Sequence, residues 1–184
     1  MIQRDFSVRS LGEIAIRCVD QGAMVAFYRD VIGLEPLNDA DNSPVIFLRV
    51  ADGLDGHTAV LALFRHDVEG AGRTRGRRTP PETGPGSSLH HIALSIPWDE
   101  QDAVITWYEH LGRDFNVEYF DWVGWRGVFT FDPDGNTVEL VAKDPNWIDP
   151  LDTSPKTPLG AGHRLSRDLV ETQRRPIREK VAAK

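Results

Sequence analysis

Apolar positions alternate with small or polar ones at two well-separated places in the chain, and the two stretches match each other. Leu11-Gly12-Glu13-Ile14-Ala15-Ile16 aligns with Leu89-His90-His91-Ile92-Ala93-Leu94. A period of two residues reads as a half-buried strand. In each copy an aspartate follows (Asp20, Asp99), and then a stretch with helical spacing. These stretches carry Phe27-Tyr28 before Ile32-Gly33-Leu34, and Trp107-Tyr108 before Leu111-Gly112. Glycine after an apolar helical face is a stop signal, because it accepts the left-handed backbone that closes a helix. β-type runs come next: residues 45–50 and 58–64 in the first half, and residues 118–120, 128–131 and 137–141 in the second. Asp132-Pro133-Asp134-Gly135-Asn136 joins the last two with hairpin chemistry. Each half therefore reads as strand, helix, then two or three strands.

The repeat sets the organisation. Residues 1–65 form a first module, 66–88 a linker, 89–143 a second module and 144–184 a C-terminal extension. The linker is rich in Gly, Pro and Arg, including Arg73, Arg75, Arg77 and Arg78. A basic run without interleaved aromatics reads as a solvated connection rather than a nucleic-acid patch. The extension is Pro-rich and then charged, yet it carries Trp147, Ile148 and Leu151. Those apolar groups need cover, which leads us to expect a homodimer.

Composition narrows the function classes. With 184 residues, 40% hydrophobic and 27% charged, the chain has the make-up of a globular protein. A formal charge of −7 argues against general nucleic-acid or anionic-membrane binding. No apolar run is long enough to span a bilayer. The first ten residues lack the apolar core of a secretory signal. The single cysteine, Cys18, forms no intrachain disulfide and is expected to pack inertly under a helix. A cytoplasmic protein is expected.

Candidate chemistry follows from parity, since alternate residues of a strand face opposite ways. Ile14, Ile16 and Cys18 oppose Glu13, Ala15 and Arg17; Ile92, Leu94 and Ile96 oppose His91, Ala93 and Ser95; Val138 and Leu140 oppose Glu139 and Val141. One face of each strand suits packing under a helix. The other carries small residues and one ionisable group near a strand end. Taken singly, such a glutamate is usually solvated and such a histidine is often a structural hydrogen-bonding residue. Taken together at repeat-equivalent positions, Glu13, His91 and Glu139 suit a divalent cation with places left for substrate.

His91-Ile92-Ala93-Leu94 followed by Phe131-Asp132-Pro133-Asp134-Gly135-Asn136-Thr137-Val138-Glu139 resembles the vicinal-oxygen-chelate superfamily, over roughly residues 9 to 143. That superfamily includes glyoxalases, bleomycin-resistance proteins and extradiol dioxygenases. The resemblance implies an α+β fold: two βαβββ modules in a paired, cupped mixed sheet with helices on the outer face. It implies metal ligands at Glu13, His91 and Glu139, with Glu13 and Glu139 also serving as catalytic groups. The metal is a divalent ion such as Fe, Mn, Zn, Ni or Co. Two departures stand out. Residues 59–62 offer no fourth ligand, with His57 the nearest substitute. The tyrosine usual before the Asp-Pro turn of ring-cleaving enzymes is replaced by Phe129, without the accompanying histidine.

The expected partner is a small molecule held through two neighbouring oxygens. The leading expectation is a dioxygenase-like oxidoreductase acting on a vicinal diol or aromatic substrate. The alternatives are a glyoxalase- or epimerase-like lyase or isomerase, and a metal-free binding or resistance protein. Arg17, Ser95, Trp122 and Trp125 are candidate substrate contacts, with Tyr119 in the same segment. His90 is expected to point away from His91.

Overall fold

The computed structural model describes residues 6–38, 43–67, 80–147 and 163–164. The chain divides into two compact units: one up to Ser88 with the turn 132–135, the other Leu89–Phe131 with the chain from Asn136 onward.

In the first unit the order is β1 (Glu13–Cys18), α1 (Gln21–Ala26) running into a wide π turn over Phe27–Val31, β2 (Glu35–Pro36), β3 (Val45–Asp52) and β4 (Thr58–Arg65). Asp20 caps α1 by accepting from the Ala23 N–H at 3.0 Å, which satisfies one of the free donors of a helix start. Gly33 ends the helical stretch at φ +90°, the conformation the stop signal requires. The sheet order is β1-β4-β3-β2, with β1 parallel to β4. The helix supplies the crossover that a parallel pair needs.

Register explains the core. Ile14, Leu61 and Leu48 lie in one row across three strands, and Ile16, Leu63 and Ile46 in the next. Met24, Phe27 and Tyr28 from the helical stretch are buried, as are Ile46, Leu48, Leu61 and Leu63. Each such side chain contributes roughly 1.5–3 kcal/mol on burial. Cys18 is fully buried, and burial pushes its thiol up to about 12, so the inert reading of this cysteine holds. Within this unit Tyr28 Oη donates to Asp132 Oδ2 at 3.1 Å.

The second unit repeats the pattern: β5 (His91–Ser95), α2 (Gln101–His110), β6 (Asn116–Phe120), β7 (Trp125–Phe131) and β8 (Thr137–Lys143). Its sheet order is β5-β8-β7-β6-β9. The fifth strand, β9 (His163–Arg164), comes from the extension and pairs antiparallel with β6. Ile92, Val138 and Thr130 share one buried row, and Leu94, Leu140, Val128 and Val117 share another. Ile105 and Tyr108 of α2 are buried with them. The βαβββ order expected for each half is therefore present in each.

A polar cluster is buried at the start of α2. Arg126 donates from Nε to Gln101 Oε1 at 2.7 Å and from Nη2 to Asp102 Oδ1 at 2.9 Å. Gln101 Nε2 donates to the carbonyls of Arg126 and Leu140 at 2.6 and 3.0 Å. The Arg126 guanidinium also lies 4.6 Å from the Trp98 ring centroid. This cluster ties the helix to two adjacent strands.

The linker contributes a short helical turn at Gly84–Gly86; Arg73, Arg75, Arg77 and Arg78 lie outside the described residues. In the extension, the Trp147 indole lies against Gly124 and 3.6 Å from Lys143 Nζ. Trp147 is therefore half-covered on its own chain. Ile148 and Leu151 lie outside the described residues. Among the described residues no helix is long and apolar enough to cross a membrane.

Candidate metal centre and cavity

Parity sorts the second sheet into a packed face and a concave, accessible one. Even-numbered residues of β5, β7 and β8 build the core rows above. The odd-numbered ones, with Asn116, Glu118 and Phe120 of β6, turn to the other side. There a cavity of about 440 Å³ is lined by His91 of β5, Thr137 and Glu139 of β8, Trp125, Phe129 and Phe131 of β7, the three β6 residues, His90 and Trp122. That size suits a small molecule.

His91 and Glu139 meet at its polar centre. His91 Nε2 stands 3.3 Å from Glu139 Oε2, with the imidazole about one-third exposed and the carboxyl 7% exposed. Burial and the nearby Glu118 carboxylate push the Glu139 carboxyl up to about 7. Burial, and then His90, lower the His91 imidazole. Both directions oppose charging of the two groups in the metal-free site.

Gly127 makes room for this arrangement. A methyl group at that position would overlap the Glu139 carboxylate and the Phe129 ring. On the neighbouring strand Glu118 is its register partner, and Glu118 Oε1 accepts from Asn116 Nδ2 at 3.1 Å. His90 completes the polar rim, with its Nδ1 2.7 Å from His91 Nδ1. The expectation that His90 points away is therefore corrected. His90 precedes β5, so strand parity does not govern it.

Of the other expected site residues, Trp122 and Trp125 line the cavity. The Trp122 indole Nε1 is buried without a hydrogen-bond partner among the described residues. Ser95 is exposed at the end of β5 and is not among the lining residues. Tyr119 donates instead to Asp144 at 3.3 Å. Glu13 and Arg17 lie on one face of β1 in the first unit, Glu13 exposed and Arg17 half-buried. Among the described residues no three His, Cys, Asp or Glu side chains form a ready-made cation cage.

Register also accounts for the fourth ligand that the sequence lacks. Glu139 pairs with Ala93 in the second sheet, and Ala62 pairs with Ala15 in the first. Ala15 and Ala93 are repeat equivalents, so fully buried Ala62 occupies the position that Glu139 holds. His57 is exposed, with its ring over Gly12.

The His91–Glu139 pair suits a divalent ion. Two ligands each about 2.1 Å from one cation stand roughly 3.0–3.4 Å apart, and the observed separation of 3.3 Å falls in that range. A cation would also favour the ionised carboxylate that burial disfavours. One imidazole with one carboxylate is a borderline-to-hard donor pair, open to iron, manganese, zinc, nickel or cobalt.

Residues 10–140 match the Glyoxalase/Bleomycin resistance protein/Dioxygenase superfamily. No curated protein matches the sequence. Among solved structures, a lactoylglutathione lyase from Agrobacterium tumefaciens is 25% identical at a TM-score of 0.53, covering 72% of this chain and 92% of that one. A glyoxalase/dioxygenase from Nostoc punctiforme is 22% identical at a TM-score of 0.54, covering 78% and 97%. The fosfomycin resistance protein FosX from Listeria monocytogenes is 18% identical at a TM-score of 0.52, covering 76% and 94%. The last two likenesses speak for the fold alone.

Proposed function

The chain belongs to the Glyoxalase/Bleomycin resistance protein/Dioxygenase superfamily, and from that premise we propose that it is a metal-dependent enzyme of the glyoxalase or epimerase kind. It moves a proton on a small substrate held through two neighbouring oxygens. The observation that carries this reading is the His91–Glu139 pair, 3.3 Å apart at the polar centre of the cavity. A carboxylate beside the reacting atoms can serve as a general base.

In this proposal His91 and Glu139 hold a divalent ion, with Glu13 as the third ligand. When bound, the ion polarises the two substrate oxygens and stabilises the negative charge that develops on them. A carboxylate oxygen of Glu139 takes the substrate proton and returns it at the adjacent atom. His90 orients the His91 ring through the contact between their Nδ1 atoms. The Phe129 ring, beside His91, and the Trp125 ring at the cavity wall position the substrate's apolar part.

The dioxygenase-like reading rests on motif resemblance, and the site adds nothing to it. One imidazole with carboxylates is not the two-histidine, one-carboxylate set of iron(II) oxygenases. Oxygen uptake with catechols discriminates the two, and none is expected. Metal analysis of protein purified without added metal tests the reading itself. Binding of Mn, Ni, Co or Zn, lost in His91→Ala and Glu139→Ala with circular dichroism unchanged, supports it. A wild-type protein that takes up no divalent ion would instead be a metal-free binding protein. A homodimer remains part of the proposal, to be checked by sedimentation.

A further inference from the structure

We infer that Trp147, in the extension beyond β8, is a positioning residue of the cavity. It holds the turn that places Trp122 in a wall suited to the aromatic body of a ligand. The inference rests on the reading above and deepens it by naming that ligand class, yet it uses none of the expected metal ligands.

The wall belongs to one hairpin. Phe120, Trp122, Trp125, Phe129 and Phe131 line the cavity, and all come from β6, β7 and the turn between them. Aromatic faces stack on aromatic bodies. His91 and Glu139 come from β5 and β8 instead, so the wall and the metal pair stand on different elements. Strand pairing fixes the other rings, whereas Trp122 stands in the turn 121–124, outside the ladder. Its indole N–H is buried without a partner among the described residues. A donor left in that state is unfavourable, so no hydrogen bond of its own keeps the ring there. The backbone of the turn imposes its place.

The chain at and just past the end of β8 grips that turn. Asp121 O accepts from Trp147 Nε1 at 2.6 Å. Val123 O accepts from Lys143 Nζ, and Gly124 O accepts from the Asp144 N–H at 2.8 Å. Gly124 is buried at φ +66°, and a Cβ there would overlap the Trp147 indole. The indole therefore fills the space that the glycine leaves, with Lys143 Nζ against its ring. Asp144 also accepts from Tyr119 Oη of β6 at 3.3 Å. Farther along, β9 returns to the outer edge of the same hairpin, with His163 opposite Tyr119 and Arg164 opposite Glu118. The family match ends at residue 140, so this grip is made by residues outside it.

The test is calorimetric binding of 2-naphthol, a neutral aromatic that needs no metal, to the full-length protein with and without divalent ion. Trp147→Ala should weaken binding by about tenfold, the order of one aromatic contact. Trp122→Ala should lose as much, and the double variant no more than Trp122→Ala alone, because Trp147 acts through Trp122. Trp147→Phe, which keeps a ring over Gly124 without the N–H, should recover part of the loss and carries the test if Trp147→Ala does not fold. Metal content and circular dichroism should stay at wild-type values. No binding of 2-naphthol by the wild type, unchanged binding in both Trp147 variants, or additive losses in the double variant would each overturn the inference. Coupled losses in a protein that retains no metal support this inference while refuting the enzyme reading. Retained metal without the coupling does the reverse.

Discussion

His91 Nε2 and Glu139 Oε2 lie 3.3 Å apart although 48 positions separate them in the chain, because β5 and β8 run parallel with Ala93 opposite Glu139. The contact is polar, recessed and open to a cavity, which is where acid–base chemistry can be tuned.

The first consequence is a pH dependence of stability in metal-free protein. Glu139 rises from an ordinary 4.5 to about 7, so between those values the folded chain holds a proton that the unfolded chain has lost. Stability then falls as pH rises through this window, and the loss is complete above about 7. His91, lowered from 6.5, acts in the opposite sense, so the comparison is with Glu139→Gln. Melting temperature in a chelator should fall less steeply with rising pH in the variant, and added divalent ion should offset the wild-type loss.

Gly127→Ala should damage the site more than the fold. Its new methyl group would displace the Glu139 carboxylate and the Phe129 ring. Metal affinity measured by calorimetry should drop by about 10–100-fold, the range seen when a ligand's support is disturbed. An unchanged affinity would show that Glu139 holds no metal from this position.

His90→Ala addresses orientation. When His91 Nε2 turns its lone pair to a cation, His91 Nδ1 carries the hydrogen and donates it to His90 Nδ1, 2.7 Å away. Loss of that acceptor should weaken metal binding by roughly tenfold or more. His90→Asn, which keeps an acceptor, should recover part of it.

Arg126→Met probes the scaffold. Arg126 is 3% exposed and Asp102 9% exposed, so removing the guanidinium breaks a buried ion pair together with the hydrogen bond to Gln101. Chemical denaturation should show a loss of about 3–5 kcal/mol. Combining it with Asp102→Asn should restore much of that loss, giving a coupling energy well above that of a surface pair.

Much of the architecture was legible before any coordinates. The paired Leu-x-[Glu/His]-Ile-Ala segments, the glycines after each helix and the Asp-Pro-Asp-Gly turn are local signals. Each acts through backbone conformation or side-chain alternation within a few residues. Parity alone put His91 and Glu139 on the face away from the helices. The same rule extends to Asn116, Glu118 and Phe120, which alternate with buried Val117, yet their role was missed because only residues 118–120 read as strand.

Tertiary structure decided which of these side chains meet. The Glu139 carboxylate reaches toward Glu118 over Gly127, a gap visible only when β6, β7 and β8 are set in register. His90 joins His91 outside the strand, where alternation has no say. Arg126 is buried with Gln101 and Asp102 on the packed face of β7, because a charge leaves water only where hydrogen-bond partners await it. The extension contributes β9 through backbone pairing that no side-chain pattern announces. Sequence determined the faces through short-range alternation. Register between strands distant in the chain, set by packing and backbone hydrogen bonds, determined the site.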